Sequence, residues 1–275
     1  MTNTTVLKLG GELLEDAAAV RRAAASIVRA ASRTPLVVVH GGGRAIDAEL
    51  QAHGLAPQFV DGLRVTDTAT LAVVVSVLAG RANTALVAAI GAAAGRAIGL
   101  TGADGQIGLS TRTGAIRAVS GATVDLGLVG QPTGRDGTLI EGILALRYVP
   151  VIGSIGVNAQ GELLNINADT FAAHIAALIR ARALIVAGTT AGVLDDEGQT
   201  IEELDFDEID AMAGSGAAHS GMLAKLAACR HAVSAGVEHV SIVSGRAGAD
   251  FTDAPGTRVV ASRQRVLSQA RAACR

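Results

Sequence analysis

The chain has 275 residues, 49% of them hydrophobic, with a formal net charge of −2 at neutral pH and only 2% aromatic residues. That length suits one large α/β domain or two joined lobes, and the lack of a basic block and of stacking aromatics argues against nucleic acid as a partner. The apolar residues fall in segments broken by Gly and charge, with Leu71 to Ala79 too short to span a membrane, and the start of the chain lacks the pattern of a secretory leader.

Two cysteines, Cys229 and Cys274, make neither a disulfide framework nor a metal site, so no protein-held metal is expected and a reducing, cytoplasmic setting is. Of the 23 basic residues only Lys8 and Lys225 are lysine. A compact ammonium on a thin stem enters sites that a planar guanidinium cannot. Both lysines stand in segments built to hold a phosphate.

In chain order, Thr5 to Leu9 reads as a short buried strand, followed by Gly10-Gly11 and a helix from about Glu15 to Ala31. Pro35 to His40 is a second strand, ending in Gly41-Gly42-Gly43 and a helix from Arg44 to about His53. Strand, glycine turn and helix repeated in this way indicate parallel strands with crossover helices and a ligand site at their carboxyl ends. Asp67 to Ala94 is a long helical stretch capped by Asp67 or Thr68. Arg96 to Val129 reads as hairpins over the site. A helix over Gly137 to Leu146 and a strand over Val149 to Gly153 follow. A hairpin over Gly156 to Leu164 then leads into a helix from Thr170 to Arg180. The last third alternates strands, at Ala183 to Ala187 and Val237 to Val243, with a helix over Met222 to Ala235; Glu202 to Asp210 reads as an exposed helix start. Thr257 to Val260 and a terminal helix close the chain. A division near Ile155 separates an N-terminal lobe, residues 1–155, from a C-terminal lobe, residues 156–275.

Glycine lets backbone approach an anion, and a helix N-terminus adds free N–H groups. Neither glycine turn matches a Walker A or a G-x-G-x-x-G pattern. Arg64, in Gly62-Leu63-Arg64-Val65-Thr66-Asp67, offers a fork for a carboxylate. Asn165, Asn167 and Asp169 alternate, so in an extended run they share a face; a helix cap at Asn167 or Asp169 is the plainer role. Lys225 stands one turn into a helix that Ser220-Gly221-Met222 begins. His40 reads as structural, and the remaining histidines lack ligand spacing.

In this order the motifs resemble the amino acid kinase family, nearly end to end. The resemblance implies a three-layer αβα sandwich around a largely parallel central sheet, with the acyl amino acid and the dimer contact in the N-terminal lobe and ATP in the C-terminal lobe. Within the family, the match is best to members that transfer a phosphoryl group from MgATP to the side-chain carboxylate of N-acetyl-L-glutamate, a step of arginine biosynthesis. On that basis Lys8 contacts the transferring group, Lys225 the leaving phosphate, and Asp169 orients both ammonium groups. Gly10, Gly11 and Gly43 supply oxyanion-stabilising amides. Gly42, Gly43, Arg64, Asn165 and Asn167 form the acyl-glutamate site. Thr189, Thr190, Ala191, Gly192, Val193 and Leu194, with Ala217, Ala218 and His219, form the nucleotide loops. ATP phosphates and water would hold Mg2+.

One departure from the family stands out. A Ser/Thr-Asp-Val-x-Gly loop is usual at the nucleotide, and here the chain reads Gly188-Thr189-Thr190-Ala191-Gly192, removing a carboxylate. The chain also begins almost at its first strand, without the extra helix by which arginine-inhibited members form hexamers, so the resemblance implies an arginine-insensitive homodimer. Two alternatives stay open: a kinase for glutamate or aminoadipate carried on a protein, and a ligand-binding homologue without catalysis.

Overall fold

The structure is a computed structural model that describes residues 3–119, 121–215, 220–246 and 251–262. Eight strands make one sheet: β1 (Thr5–Leu9), β2 (Leu36–His40), β3 (Ala97–Thr101), β4 (Val149–Gly153), β5 (Ala183–Gly188), β6 (Glu203–Asp205), β7 (His239–Ser244) and β8 (Gly256–Val260), in the spatial order β6-β8-β7-β5-β1-β2-β4-β3. Every pair is parallel except β7 with β8. β1 to β4, all before residue 155, thus lie on one side of the β1–β5 junction, and the strands after that residue lie on the other. Here the structure departs from the sequence reading, which takes Ala97–Thr101 for hairpin; it is the edge strand of the main sheet. Likewise Glu203–Asp205 is a strand before the helix α6 begins.

Six helices lie within a few residues of the expected boundaries, α1 (Ala17–Ala31), α2 (Gly43–Ala52), α3 (Thr68–Ala92), α4 (Thr138–Ala145), α5 (Ala168–Leu178) and α7 (Ser220–Ser234), while α6 runs over Phe206–Ser215, later than the start expected at Glu202. Alternation along the strands decides which helices each face meets. Val6, Val37, Val39, Leu184 and Val186 pack with Phe171 and Ala172 of α5 and Leu226 of α7. Leu7, Leu9, Val38 and Ile185 pack with Ala24 and Ile27 of α1 and Leu86 and Ile90 of α3. The three-layer αβα sandwich expected from the sequence is therefore present.

Helix α3 starts on the Asp67 side chain, which accepts from the Thr70 N–H at 2.7 Å. The sequence breaks its apolar run at Gly80-Arg81, yet one helix of 25 residues passes through, long and apolar enough to cross a membrane by those measures alone. Its core-facing residues pack within this domain. A π-helical segment over Ser76–Ala82 lies at its centre. The wider turn brings Asn83 over the sheet, where its amide donates to the Val151 carbonyl at 2.8 Å and meets His40 Nε2 at 3.1 Å. The expected terminal helix lies outside the described residues.

Candidate active site

Lys8 is the fourth residue of β1, so its side chain leaves the sheet on the same face as Val6, toward α5. There its ammonium meets the Asp169 carboxylate at 2.8 Å, both side chains less than a tenth exposed. Asp169 stands in the first turn of α5. Asn167 caps that helix, its side-chain oxygen accepting from the N–H groups of Asp169 (2.9 Å) and Thr170 (3.1 Å). The three polar residues therefore converge through the helix cap that the sequence also offers at Asn167, and not along one extended face. Only Asn165 is in a strand, the hairpin arm Leu163–Asn165, and its amide donates to the Thr66 hydroxyl at 3.0 Å.

The two glycine turns touch. A Cβ on Gly11 would lie 2.6 Å from Gly42 Cα and 2.8 Å from Gly43 N, backbone against backbone. On the far side of the same turn, a Cβ on Gly42 would lie 2.8 Å from Leu78 of α3. Gly10 differs from its neighbours, because its N–H donates to the Ala187 carbonyl at 3.0 Å and so extends the sheet. Gly11 opens a 3-10 turn and Gly43 opens α2, first-turn positions whose N–H groups have no acceptor within their own helix. His40, just before the second turn, is fully buried. Its Nδ1 faces the Gly41 carbonyl at 3.2 Å, and burial pulls its pKa down to about 4, so the ring is neutral and structural.

A cavity of about 220 Å³ opens beside these turns. Its lining joins Lys8, Asp169, Gly42 and Gly43 with Arg64, Asn165 and Asn167. Arg64 is buried on the hairpin arm Leu63–Arg64 and held on three sides. Asp47 of α2 pairs with it at 2.7 Å, the Gly43 carbonyl accepts from it at 3.4 Å, and its guanidinium lies 4.6 Å over the Phe59 ring. Asp47 and Phe59 were missed from sequence. Asp47 lies four residues beyond the glycine run, on the α2 face that turns toward Arg64, and that placement was the available signal.

Lys225 is in the second turn of α7. A Cβ placed on Gly188, the last residue of β5, would lie 3.8 Å from the Lys225 ammonium and 3.5 Å from the Glu12 carboxylate. Four residues after Lys225 on the same helix, the buried thiol of Cys229 has its pKa pushed up by burial and by the charge of Asp169, while Lys8 and Lys225 pull the other way. The two lysines and Asp169 therefore all lie within electrostatic reach of this thiol. No Asp169–Lys225 salt bridge accompanies the Lys8 pair, which narrows Asp169 to one ammonium partner among the described residues.

Beyond Gly188, Thr189 is half-buried while Thr190 and Ala191 are exposed. Gly192 has φ +144°, and a Cβ there would lie 2.6 Å from the Thr257 hydroxyl. Val193 is in the core, its N–H donating to that hydroxyl at 2.8 Å, and Leu194 bridges to Thr200. Of this expected nucleotide loop, Gly192 and Val193 anchor the loop on β8, and Thr189 to Ala191 present the open surface. Ala217, Ala218 and His219 lie outside the described residues.

A model of the amino acid kinase family matches residues 3–244. The chain is 41% identical over 254 residues to an acetylglutamate kinase of Novosphingobium aromaticivorans, covering 88% of this chain and 84% of that protein. To an acetylglutamate kinase of Erythrobacter litoralis it is 40% identical over 249 residues, covering 88% and 83%. Among solved structures, N-acetylglutamate synthase from Neisseria gonorrhoeae superposes with a TM-score of 0.80 at 23% identity, over 94% of this chain and 59% of that one. A carbamate kinase from Giardia lamblia gives 0.64 at 15% identity, over 95% and 99%. With the paired glycine turns, the Lys8–Asp169 pair and the sheet order all in place, this chain belongs to the amino acid kinase family.

Proposed function

We propose that this chain transfers the terminal phosphoryl group of MgATP to the side-chain carboxylate of N-acetyl-L-glutamate, the activity for which its relatives are named. The observation that carries this reading is the buried Lys8–Asp169 pair lining one cavity together with the glycine turns and Arg64. Such a reaction needs positioning and charge neutralisation, with no covalent protein intermediate.

Arg64, already fixed by Asp47 and Phe59, presents its remaining edge to a carboxylate of the acceptor, and the Asn165 amide orients the acyl group. The amides of Gly11 and Gly43 receive charge that develops on the reacting carboxylate; Gly10, engaged with Ala187, serves the sheet instead. Lys8, aimed by Asp169, neutralises the transferring phosphoryl group. Lys225 meets the leaving side.

The residues present fit a nucleoside triphosphate. A side chain at Gly11 would fill the space between the two turns, and the Lys225 ammonium stands near the end of β5. MgATP, when bound, supplies the phosphoryl group and a cation that we assign to phosphate oxygens and water. Gly188 to Ala191 and the segment containing Ala217 to His219 are the nucleotide side of this assignment.

The reading extends to a cytoplasmic homodimer with its acceptor site chiefly in residues 1–155, completed by Asn165, and its nucleotide site in 156–275. Edge strand β3 is only half-buried, and the stretch of α3 packed beside it exposes the small apolar side chains of Ala85 and Ala88. An open, apolar sheet edge of this kind calls for a cover, and we assign it to a second copy. Sedimentation should show a dimer that Ala88→Glu dissociates.

The decisive test is an acyl-phosphate trapping assay with MgATP and N-acetyl-L-glutamate, glutamate, N-acetyl-L-aspartate, aspartate and carrier-linked glutamate. Turnover confined to N-acetyl-L-glutamate is expected. Turnover only on the carrier-linked acceptor, or binding of nucleotide without any turnover, would overturn the reading. Lys8→Arg should lose most of kcat while keeping the fold by circular dichroism.

A further inference from the structure

Glu12 follows the first glycine turn, lines the same cavity as Lys8 and Asp169, and has no part in the roles assigned so far. Its side chain folds back over its own turn. A Cβ on Gly10 would lie 2.4 and 2.5 Å from its two carboxylate oxygens, and one on Gly188 would lie 3.5 Å from the nearer oxygen and 3.8 Å from the Lys225 ammonium. The carboxylate therefore occupies the space between the end of β1, the end of β5 and Lys225. Neither Glu12 nor Lys225 makes a salt bridge among the described residues. Both charges are uncommitted and face the same gap.

That gap is where the proposed reaction, on which this inference rests, places the phosphate chain. We propose that Glu12 is an anionic placeholder of the phosphate site: its carboxylate stands beside Lys225 in the nucleotide-free protein and opposes the entry of bare phosphate oxygens. Two lysines facing two carboxylates leave the site without net charge, although it has to receive a polyanion. A like charge a few ångströms from the phosphates weakens their binding unless a cation intervenes. Glu12 therefore makes the site selective for the magnesium-loaded nucleotide over the free one and hastens release of the diphosphate product. Asp169 cannot serve in this way, because its charge is matched by Lys8 at 2.8 Å.

The test is calorimetric titration of ADP and ATP, each with magnesium and with a chelator, into the wild-type protein, Glu12→Gln and Glu12→Ala. Unfolding midpoints confirm that the variants are folded. Both variants should bind chelated ATP about tenfold more tightly than wild type, as loss of one like charge at this range implies, with a smaller gain for the magnesium complex. The advantage should shrink as salt rises. Unchanged affinity for chelated nucleotide would overturn the placeholder role and leave the kinase reading standing. Weaker binding of the magnesium complex alone would make Glu12 a cation ligand and also overturn it. A wild-type protein that binds neither nucleotide would overturn both inferences.

Discussion

The Lys8 ammonium lies 2.8 Å from the Asp169 carboxylate at the carboxyl end of the central sheet, with the side chains 6% and 9% exposed. Removing one member of such a pair leaves a buried charge without its partner, which costs about 3–5 kcal/mol. Asp169→Ala should therefore lower stability by about 3 kcal/mol as well as abolish turnover. Adding Lys8→Met to that variant should restore part of the stability and none of the activity. Urea unfolding of both singles and the double closes the cycle. Additive losses would show that the pair is not coupled.

The contact between the glycine turns separates two substitutions that look alike in sequence. Gly11→Ala drives a methyl group into the backbone of Gly42 and Gly43, and should cost about 1–3 kcal/mol while spoiling acceptor binding. A Cβ on Gly43 meets nothing within 4 Å. Gly43→Ala should keep the unfolding midpoint and raise the KM for the acceptor instead. Equal destabilisation in thermal melts would refute the distinction.

Arg64 is held by Asp47 at 2.7 Å before any substrate arrives. Arg64→Lys keeps the charge and loses the fork, so the KM for the acceptor should rise at least about tenfold with a smaller change in kcat. Asp47→Asn frees the guanidinium to move and should raise that KM as well. Initial-rate measurements over acceptor concentration decide the matter, and an unchanged KM in Arg64→Lys would exclude a carboxylate contact.

His40 gives the fold a pH dependence with a definite sign. Its pKa falls from about 6.5 in the unfolded chain to about 4 in the buried site. Between these values the unfolded state binds more protons, so the contribution is complete above pH 6.5 and is lost as the pH falls toward 4. The window amounts to about 3 kcal/mol. Urea midpoints at pH 7 and pH 4.5 should differ markedly in the wild type and much less in His40→Gln.

Much of the fold was legible because the strands are short apolar runs ending in glycine and the helices carry visible caps. The candidate site was legible where a residue type is rare or geometrically constrained, as with Lys8 and the paired turns. Asn167 and Asp169 carry two readings in the sequence, a shared extended face and a helix cap, and the cap at Asn167 is the one the structure shows. Ala97–Thr101 escaped as a sheet strand because an edge position leaves it half exposed, without the buried pattern of β1 or β2. Asp47 and Glu12 were missed because each is an ordinary acid near a helix start, and its partner is distant in sequence. Only the folded chain brings Glu12 beside Lys225.

The strand that carries Lys8 is paired with Val39 of β2 on one side and with Val186 of β5 on the other. The first pairing forms early in synthesis, and the second waits for the far half of the chain. Until then β1 is a bare sheet edge, an invitation to pair with another nascent copy. A ribosome stalled before β5 would hold a chain already containing Lys8, Arg64 and Asp169 and still present that edge. The window for aggregation in cells is therefore set by the time taken to translate from β2 to β5, and slowing translation within that interval should lower the soluble yield more than slowing it after Gly188.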